Sequence, residues 1–179
     1  MGICVLSFSS REDGNCARIG EMIASLLPDA KLYRFSDFSI RPCGHCRYEC
    51  FEEGDRCPWI GDKEAELLDA ITGSELTYFI MPNYCDYPCA NFFIFNERSL
   101  CYFQKNEARL EAYERVRKKA VVVSNSGREH FEAALRYHVS GEPEILFLSP
   151  KEYGKNSIRG DLLTSEGAVR ALTRFVLET

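Results

Sequence analysis

Short apolar segments rich in β-branched residues alternate with segments of helical periodicity along this 179-residue chain. Apolar positions in the helical segments recur every three or four residues, as in amphipathic helices with one buried face. Strand segments that are apolar throughout are typical of a sheet covered by helices on both faces. The predicted strands are Ile3–Phe8, Lys31–Phe35, Leu76–Met81, Ala120–Ser124 and Glu144–Leu148. The predicted helices include residues 19–27, 67–71, 131–138 and 168–175, with Pro28 and Gly73 ending the first two.

Regular alternation of strand and helix predicts an α/β fold, in which a parallel sheet lies between two layers of helices. Five strands in a chain of this length fit a flavodoxin-like three-layer sandwich with the strand order 2-1-3-4-5. We expect residues 1–179 to form a single domain of this kind. Two segments are additions to this α/β pattern: a cysteine-rich excursion at residues 36–61 and a charged helical extension at residues 104–119. The extension is interpreted as a solvent-exposed helix, with an oligomer contact as the alternative.

Charge and hydropathy narrow the classes of partner. Lys plus Arg number 22 and Asp plus Glu number 27, which gives a net charge of −5. A chain with this charge is not expected to have the basic surface that binds the phosphate backbone of a nucleic acid. The first residues do not follow the pattern of a signal peptide, and the longest apolar runs are far shorter than the ~20 residues that span a bilayer. We therefore expect a cytoplasmic protein that binds neither nucleic acid nor membrane.

Three polar loops follow predicted strands, at the edge where open α/β sheets bind ligands. Hydroxyls, a guanidinium and an amide in the first loop could surround a phosphate at a helix start, whereas the alternative is an ordinary loop with Asn15 as helix N-cap. Tyrosines and prolines in the second loop offer a flat surface to a planar ring system, although tyrosines on loops commonly serve packing. The residues are Ser7, Ser9, Ser10, Arg11 and Asn15 in the first loop, residues 82–88 in the second, and Ser124, Asn125, Ser126 and Gly127 in the third.

Nine cysteines are present, an odd number that argues against a fully paired set of disulfides. Four of them lie within fifteen residues in the spacing C-x2-C-x3-C-x6-C. Four thiolates in one short segment can ligate a [4Fe–4S] cluster, which the spacing favours, or a zinc ion, and unligated thiols are the third alternative. The candidate metal ligands are Cys43, Cys46, Cys50 and Cys57.

The remaining cysteines receive separate interpretations. Cys85 and Cys89 flank residues 86–88 of the second loop. They could form a redox pair, or Cys85 could contact a bound ring, but we favour small buried hydrophobic residues. Cys4 in a strand and Cys101 on an apolar helix are interpreted as core residues. The neighbouring charges at positions 97 and 98 are interpreted as support for packing.

The serine-rich first loop, the cysteine excursion, the Pro-Asn-Tyr loop and the helix that follows it resemble, in this order, the NADPH-dependent FMN reductase family and its iron–sulfur flavoprotein branch. The resemblance covers nearly the whole chain. It implies that Ser9, Arg11, Asn15 and Cys16 contact the FMN phosphate. It also implies that the isoalloxazine ring lies along a loop closed on its other side by residues 124–127. That loop consists of Pro82, Asn83, Tyr84, Cys85 and Asp86.

The resemblance further implies an FMN-binding oxidoreductase. Hydride from NAD(P)H would pass to the flavin, and electrons would continue to a small acceptor, a redox partner protein or an iron–sulfur cluster. The flavin carries this chemistry, so no catalytic side chain is predicted. A homodimer or higher homo-oligomer is expected. Two other hypotheses remain open: a flavodoxin-like electron carrier without its own turnover, and a zinc-stapled interaction module.

Overall fold

The computed structural model describes residues 2–44, 46–52 and 57–178, apart from the side chain at position 60. Positions 45 and 53–56 of the predicted excursion therefore lie outside the described residues. The strands are β1 (Gly2–Ser7), β2 (Ala30–Arg34), β3 (Ser74–Tyr84), β4 (Tyr87–Pro88), β5 (Arg117–Val123) and β6 (Glu144–Leu148). The helices are α1 (Asn15–Leu26), α2 (Glu49–Glu52), α3 (Glu64–Thr72), α4 (Ala90–Phe103), α5 (Glu107–Arg115), α6 (Glu129–His138) and α7 (Glu166–Leu177).

The main sheet is parallel and has the order β2-β1-β3-β5-β6. The short strand β4 lies off this path and pairs antiparallel with β3. The predicted α/β class with helices on both faces agrees with this structure. The predicted five-stranded order 2-1-3-4-5 is wrong, because the structure has a sixth strand, β4, and the order along the sheet is 2-1-3-5-6.

Two apolar cores lie on opposite faces of the sheet. Successive side chains of a strand point to opposite faces, so Val121 belongs to one core and Val122 to the other. Helices α1 and α7 cover the first face, whereas α3, α4 and α6 cover the second. On the second face Phe8 packs its ring against Phe79 and Phe92 at centroid distances of 5.8 and 5.5 Å. This aromatic group anchors the loop that follows β1.

The charged segment at 104–119 is only partly helical. Helix α5 ends at Arg115, and β5 begins two residues later. Lys118 and Lys119 are buried in β5, and each ammonium group donates hydrogen bonds to backbone carbonyls. The prediction of a helix through residue 119 is therefore wrong at its end, because the long lysine stems can lie in an apolar layer while their charged ends reach polar atoms.

Strand β3 extends beyond the predicted Met81 and turns back into β4. Cys85 and Asp86 form the turn, and both have left-handed backbone conformations, with φ of 53° and 68°. Two successive residues of this kind are typical of a two-residue hairpin. Tyr87 then stacks on His130 of α6, with ring centroids 5.7 Å apart and planes 6° apart. The hairpin is thereby fixed at the carboxyl edge of the sheet.

Among the residues that the structure describes, no helix has both the length and the apolar character required to cross a bilayer.

Candidate functional site

A cavity of about 290 Å³ lies at the carboxyl ends of β1, β3 and β5. The three loops predicted from the sequence meet there, together with a fourth segment between β6 and α7. Ligands of open α/β sheets bind at this edge, so its position agrees with a binding site. The lining residues are Ser9, Arg11, Gly14, Asn15, Cys16, Pro82, Asn83, Tyr84, Val123, Ser124, Asn125, Ser126, Pro150, Ser157 and Ile158.

The first loop presents the start of α1 to the cavity. Gly14 is the N-cap residue and has no side chain that could bond the first N–H groups of the helix. These N–H groups and the helix dipole favour an anion at this end. The Oγ atom of Ser9 accepts a hydrogen bond from the backbone N–H of Arg11 at 3.1 Å, which leaves the Ser9 hydroxyl hydrogen available to a ligand. The guanidinium of Arg11 donates to the carbonyl of Ile158 at 3.1 Å, across the cavity mouth.

Asn15 lines the cavity, but its amide is committed to the protein. Its Oδ1 atom accepts from the buried N–H of Leu162 at 3.0 Å, and its Nδ2 atom donates to the carbonyl of Ser157 at 3.2 Å. The alternative that Asn15 caps the helix is wrong, because Gly14 occupies the cap and Asn15 is the first helical residue. Asn15 therefore fixes the fourth wall of the cavity, which the sequence did not indicate.

Cys16 is buried next to this helix start. Burial raises the pKa of the Cys16 thiol well above its ordinary value, with a smaller contribution from Cys89. The thiol is therefore neutral at ordinary pH, and it adds no negative charge beside an anion bound at the helix start.

The second and third loops are joined by Asn83. Its Nδ2 atom donates to the Oγ atom of Ser124 at 2.9 Å and to the carbonyl of Gly127 at 2.7 Å. Its Oδ1 atom is buried and has no hydrogen-bond partner within the described part of the chain. An unpartnered buried acceptor costs free energy, which a ligand N–H group would recover. Tyr84, which is 58% exposed, offers its ring at the same side of the cavity.

Not every predicted residue lines the cavity. Cys85 is exposed at the hairpin turn, and Asp86 packs against Gly127 so closely that a Cβ atom on residue 127 would lie 2.7 Å from the Asp86 Oδ2 atom. These three residues shape the loops rather than the cavity surface. Cys89 is buried, as predicted, and its thiol donates to the carbonyl of Phe8 at 3.5 Å. The prediction that Cys85 is also buried is wrong, because the turn carries it out into solvent, and both thiols are free.

The cysteine excursion lies along α4, away from the first cavity. Cys43 is half-buried, and its backbone N–H donates to the Glu97 carboxylate at 3.2 Å. Burial raises the pKa of the Cys101 thiol well above its ordinary value, and the neighbouring Cys50 and Cys57 raise it further. Over residues 2–44, 46–52 and 57–178, no group of three or more His, Cys, Asp or Glu side chains is arranged to hold a metal ion. Within these ranges the predicted metal ligands Cys43, Cys46, Cys50 and Cys57 are not brought together as a set that could hold a cluster or a zinc ion.

Cys101 is a residue whose role the sequence did not reveal. It is half-buried beside the excursion, so its interpretation as a core residue is wrong. Cys4, by contrast, is 2% exposed in β1, as predicted. Cys50 and Cys57, which raise the pKa of the Cys101 thiol, lie more than forty positions away along the chain, so the apolar helix face could not indicate them.

Arg98 of α4 bonds the excursion and the residues that follow it. Its Nη1 atom donates to the carbonyl of Arg41 at 3.0 Å. The Arg98 side chain is 2% exposed; its Nη1 atom donates to Asp62 Oδ2 at 2.5 Å, and Glu64 lies 3.6 Å from Nη2. Burial raises the pKa of Glu64 to about 8, although Arg98 acts in the opposite direction. Glu97 and Arg98 thus bind different parts of the excursion, which agrees with their interpretation as packing support.

Comparison with known proteins identifies the fold. No protein-family model and no curated protein matches the chain. Among solved structures, the chain is similar to the Trp repressor binding protein from Bacillus subtilis, with a TM-score of 0.66, 13% identity and 99% of each chain covered. It is also similar to an FMN-dependent NADH-azoreductase from Bacillus anthracis str. Ames Ancestor in complex with FMN, with a TM-score of 0.67, 5% identity and 99% of each chain covered.

A third similar structure is a flavoenzyme NAD(P)H:(acceptor) oxidoreductase from Paracoccus denitrificans, with a TM-score of 0.55, 14% identity, and 99% of this chain and 97% of that chain covered. At such identities the similarity establishes a common fold. That fold is the one which the resemblance to the FMN reductase family implied.

Proposed function

We propose that this chain binds FMN in the cavity formed by the loops after β1, β3 and β5, and that it is an NAD(P)H-dependent oxidoreductase. The observation that carries the proposal is that one cavity has a phosphate-binding group at one end and a ring-binding group at the other. One end combines a helix N-terminus with a guanidinium, and the other combines an aromatic ring with an unpartnered buried acceptor. These are the groups that a phosphate and a flavin ring require.

The phosphate would lie at the N-terminus of α1. The twelve-residue helix directs its first N–H groups to this end, and its cap residue, Gly14, leaves them open to a ligand. Ser9 donates its hydroxyl hydrogen, and Arg11 contributes a positive charge. Charge-assisted hydrogen bonds to phosphate contribute about 1.5–3 kcal/mol each, so this cluster supports retention of FMN rather than of a neutral flavin.

The ring of FMN would lie between Tyr84 and the loop at 124–127. The pyrimidine part of an isoalloxazine carries an imide N–H, and the unpartnered Oδ1 atom of Asn83 is a suitable acceptor for it. The same Asn83 side chain holds the second and third loops together through its Nδ2 atom. Binding of FMN would therefore give the Asn83 Oδ1 atom a hydrogen-bond donor, while the Nδ2 atom of the same side chain holds the two loops in place.

When bound, FMN would supply the redox chemistry by accepting hydride from NAD(P)H and giving electrons to a small acceptor. The residues of this chain would bind the phosphate, orient the ring and keep water from one of its faces. No step requires a side chain as general acid or base. The names of similar structures, which include an azoreductase in complex with FMN and an NAD(P)H:(acceptor) oxidoreductase, support this reaction class.

Turnover separates this proposal from an electron carrier. The FMN-loaded protein should oxidise NADH or NADPH continuously in the presence of a quinone. A carrier without its own turnover would oxidise neither nucleotide, and that result would overturn the enzymatic part of the proposal. A homo-oligomeric state and a protein redox partner stay predictions of the family resemblance.

The Arg11→Ala variant tests the phosphate end. Removing the guanidinium should weaken FMN affinity by about 10- to 100-fold, the loss expected for one charge-assisted hydrogen bond. Arg170→Ala is the matched control, because Arg170 is an exposed arginine of α7 paired with Glu166. An Arg11→Ala affinity equal to that of the control would show that this guanidinium does not bind the phosphate.

A further inference from the structure

A second cavity lies between α3, α4, α5 and the end of the excursion. Its volume is about 310 Å³, which is within the range of pockets that bind small molecules. Among the described residues it shares no lining residue with the first cavity. Cys57 and Cys101 line it together with four charged side chains, which are Asp62, Glu64, Arg98 and Arg109.

Two of these charged side chains each keep one polar atom without a partner. The Glu64 and Arg98 side chains are 5% and 2% exposed, yet Glu64 Oε1 and Arg98 Nε have no hydrogen-bond partner among the residues described. Such atoms are rare in native proteins because each costs free energy. A ligand that bonds both atoms at once would recover that free energy, so the pair indicates what this cavity binds.

The other polar atoms of the two groups are already used within the protein. Arg98 Nη1 and Nη2 donate to the Asp62 carboxylate at 2.5 and 3.3 Å, and Glu64 Oε2 lies 3.6 Å from Nη2. Because Oε2 faces the cationic guanidinium, a proton on the Glu64 carboxyl belongs on Oε1. Burial raises the pKa of Glu64 to about 8, so the carboxyl carries this proton at neutral pH. The cavity wall therefore has two open donors, the Glu64 hydroxyl and the Arg98 Nε–H.

The charge of the wall favours an anion. Arg98 and Arg109 are cationic, Asp62 is anionic and Glu64 is protonated, so the described wall has one positive charge in excess at neutral pH. Arg109 lies over the ring of Tyr102, 4.4 Å from its centroid, and donates to the Tyr102 carbonyl at 3.3 Å. These contacts hold the second positive charge beside the cavity.

We propose that this cavity binds a small monocarboxylate with a compact apolar body, whose oxygens accept hydrogen bonds from Glu64 and Arg98. A carboxylate can accept from both donors, and its charge matches the excess charge of the wall. Ala65 and Cys101 add apolar surface for the rest of the ligand. A primary amide of the same shape has one acceptor oxygen and no charge, so it should bind more weakly. This site is separate from the proposed flavin site and does not depend on it.

A titration followed by NMR tests the proposal, with benzoate as the probe and benzamide as its neutral counterpart. Backbone signals of the isotope-labelled full-length protein are recorded at neutral pH. We expect benzoate to shift the signals of Ala65 and Cys101 and to bind about tenfold or more tightly than benzamide, as one charge-assisted hydrogen bond implies. Equal or tighter binding of benzamide would overturn the proposal. Benzoate shifts confined to Gly14 and Asn15 of the first cavity, or no shifts, would also overturn it.

The pH dependence of benzoate affinity, measured by calorimetry, tests the role of the Glu64 proton. Wild-type affinity should fall about tenfold between pH 7 and pH 9, because the carboxyl that donates to the ligand ionises near pH 8. Glu64→Gln keeps an N–H donor and does not titrate, so it should bind benzoate with nearly constant affinity over this interval. The other ionisable side chains around Glu64 are the same in both proteins: Cys57, Asp62, Arg98, Cys101, Tyr102 and Arg109. Equal pH profiles of the two proteins would overturn the proposal.

An apolar substitution tests the contact itself. Glu64→Met has a similar length but no donor, so benzoate affinity at neutral pH should fall about tenfold or more. Glu66→Gln is the matched control, because Glu66 is exposed on the same helix and should leave the affinity unchanged. A Glu64→Met affinity equal to that of the control would overturn the proposal. FMN affinity should be unchanged in both variants, so a failure here is distinct from a failure of the proposed function.

Discussion

Replacing Glu64 with Gln should remove a pH-dependent loss of stability. Glu64 is 4% exposed at the start of α3, and burial raises the pKa of its carboxyl from 4.5 to about 8. In the unfolded chain the same carboxyl ionises near pH 4.5. Between these two values the folded protein therefore binds more protons than the unfolded chain, so the free energy of unfolding falls as the pH rises.

The magnitude follows from the separation of the two pKa values. A difference of about 3.5, at ~1.4 kcal/mol for each unit, corresponds to a span of about 5 kcal/mol. About 4 kcal/mol of this span falls between pH 5 and pH 8.5. Gln has the shape of the protonated acid and does not titrate. The Glu64→Gln variant should therefore gain up to this amount relative to the wild type as the pH is raised over the same interval.

Urea unfolding at pH 5 and pH 8.5 measures the effect as a difference between variant and wild type, which cancels the titration of other groups. Glu66→Gln is the matched control, because Glu66 lies on the exposed face of the same helix and should leave the pH dependence nearly unchanged. If the stability difference between Glu64→Gln and the wild type were the same at both pH values, the assignment of a protonated, buried Glu64 would be refuted.

Two further substitutions test the walls of the first cavity. Gly127→Ala places a Cβ atom 2.7 Å from the Asp86 Oδ2 atom, so the Asp86 side chain at the hairpin turn must move. We expect about tenfold weaker FMN binding, with Gly61→Ala, which has open space around it, as the unaffected control in the same titration. Asn15→Ala leaves a buried backbone N–H without its partner, so urea unfolding should report a loss of about 1–3 kcal/mol, and no loss would contradict the role of Asn15 in fixing the fourth wall.

Most of the sheet could be predicted because its strands are short, continuous apolar runs. The predicted strand at 144–148 has the same bounds as β6, since its four apolar residues end at Leu148. The beginning of β5 could not be predicted from Lys118 and Lys119. Charged side chains indicate a solvent-exposed position, whereas these two ammonium groups donate to backbone carbonyls. Periodicity alone cannot distinguish these two situations.

The candidate site was predicted where its groups follow strands directly. Ser9, Arg11 and Asn83 line the first cavity because parallel strands bring their carboxyl ends to one edge. The sequence does not predict that the segment at 150–158 lines the cavity. The hydrogen bond from Asn15 Nδ2 to the carbonyl of Ser157 holds the segment there, and these two residues are distant in sequence. The partial exposure of Cys101 could not be predicted for a similar reason, because Cys57, which lines the same second cavity, is distant from it in sequence.

The central claim is that the cavity binds FMN with its phosphate at the start of α1. The most direct measurement compares FMN with riboflavin, which lacks the phosphate, by quenching of flavin fluorescence on titration with the wild-type protein. We expect one FMN per chain and an affinity for FMN about 100-fold or more above that for riboflavin, as two or more charge-assisted contacts imply. Equal affinity for the two flavins, or binding of neither, would contradict it.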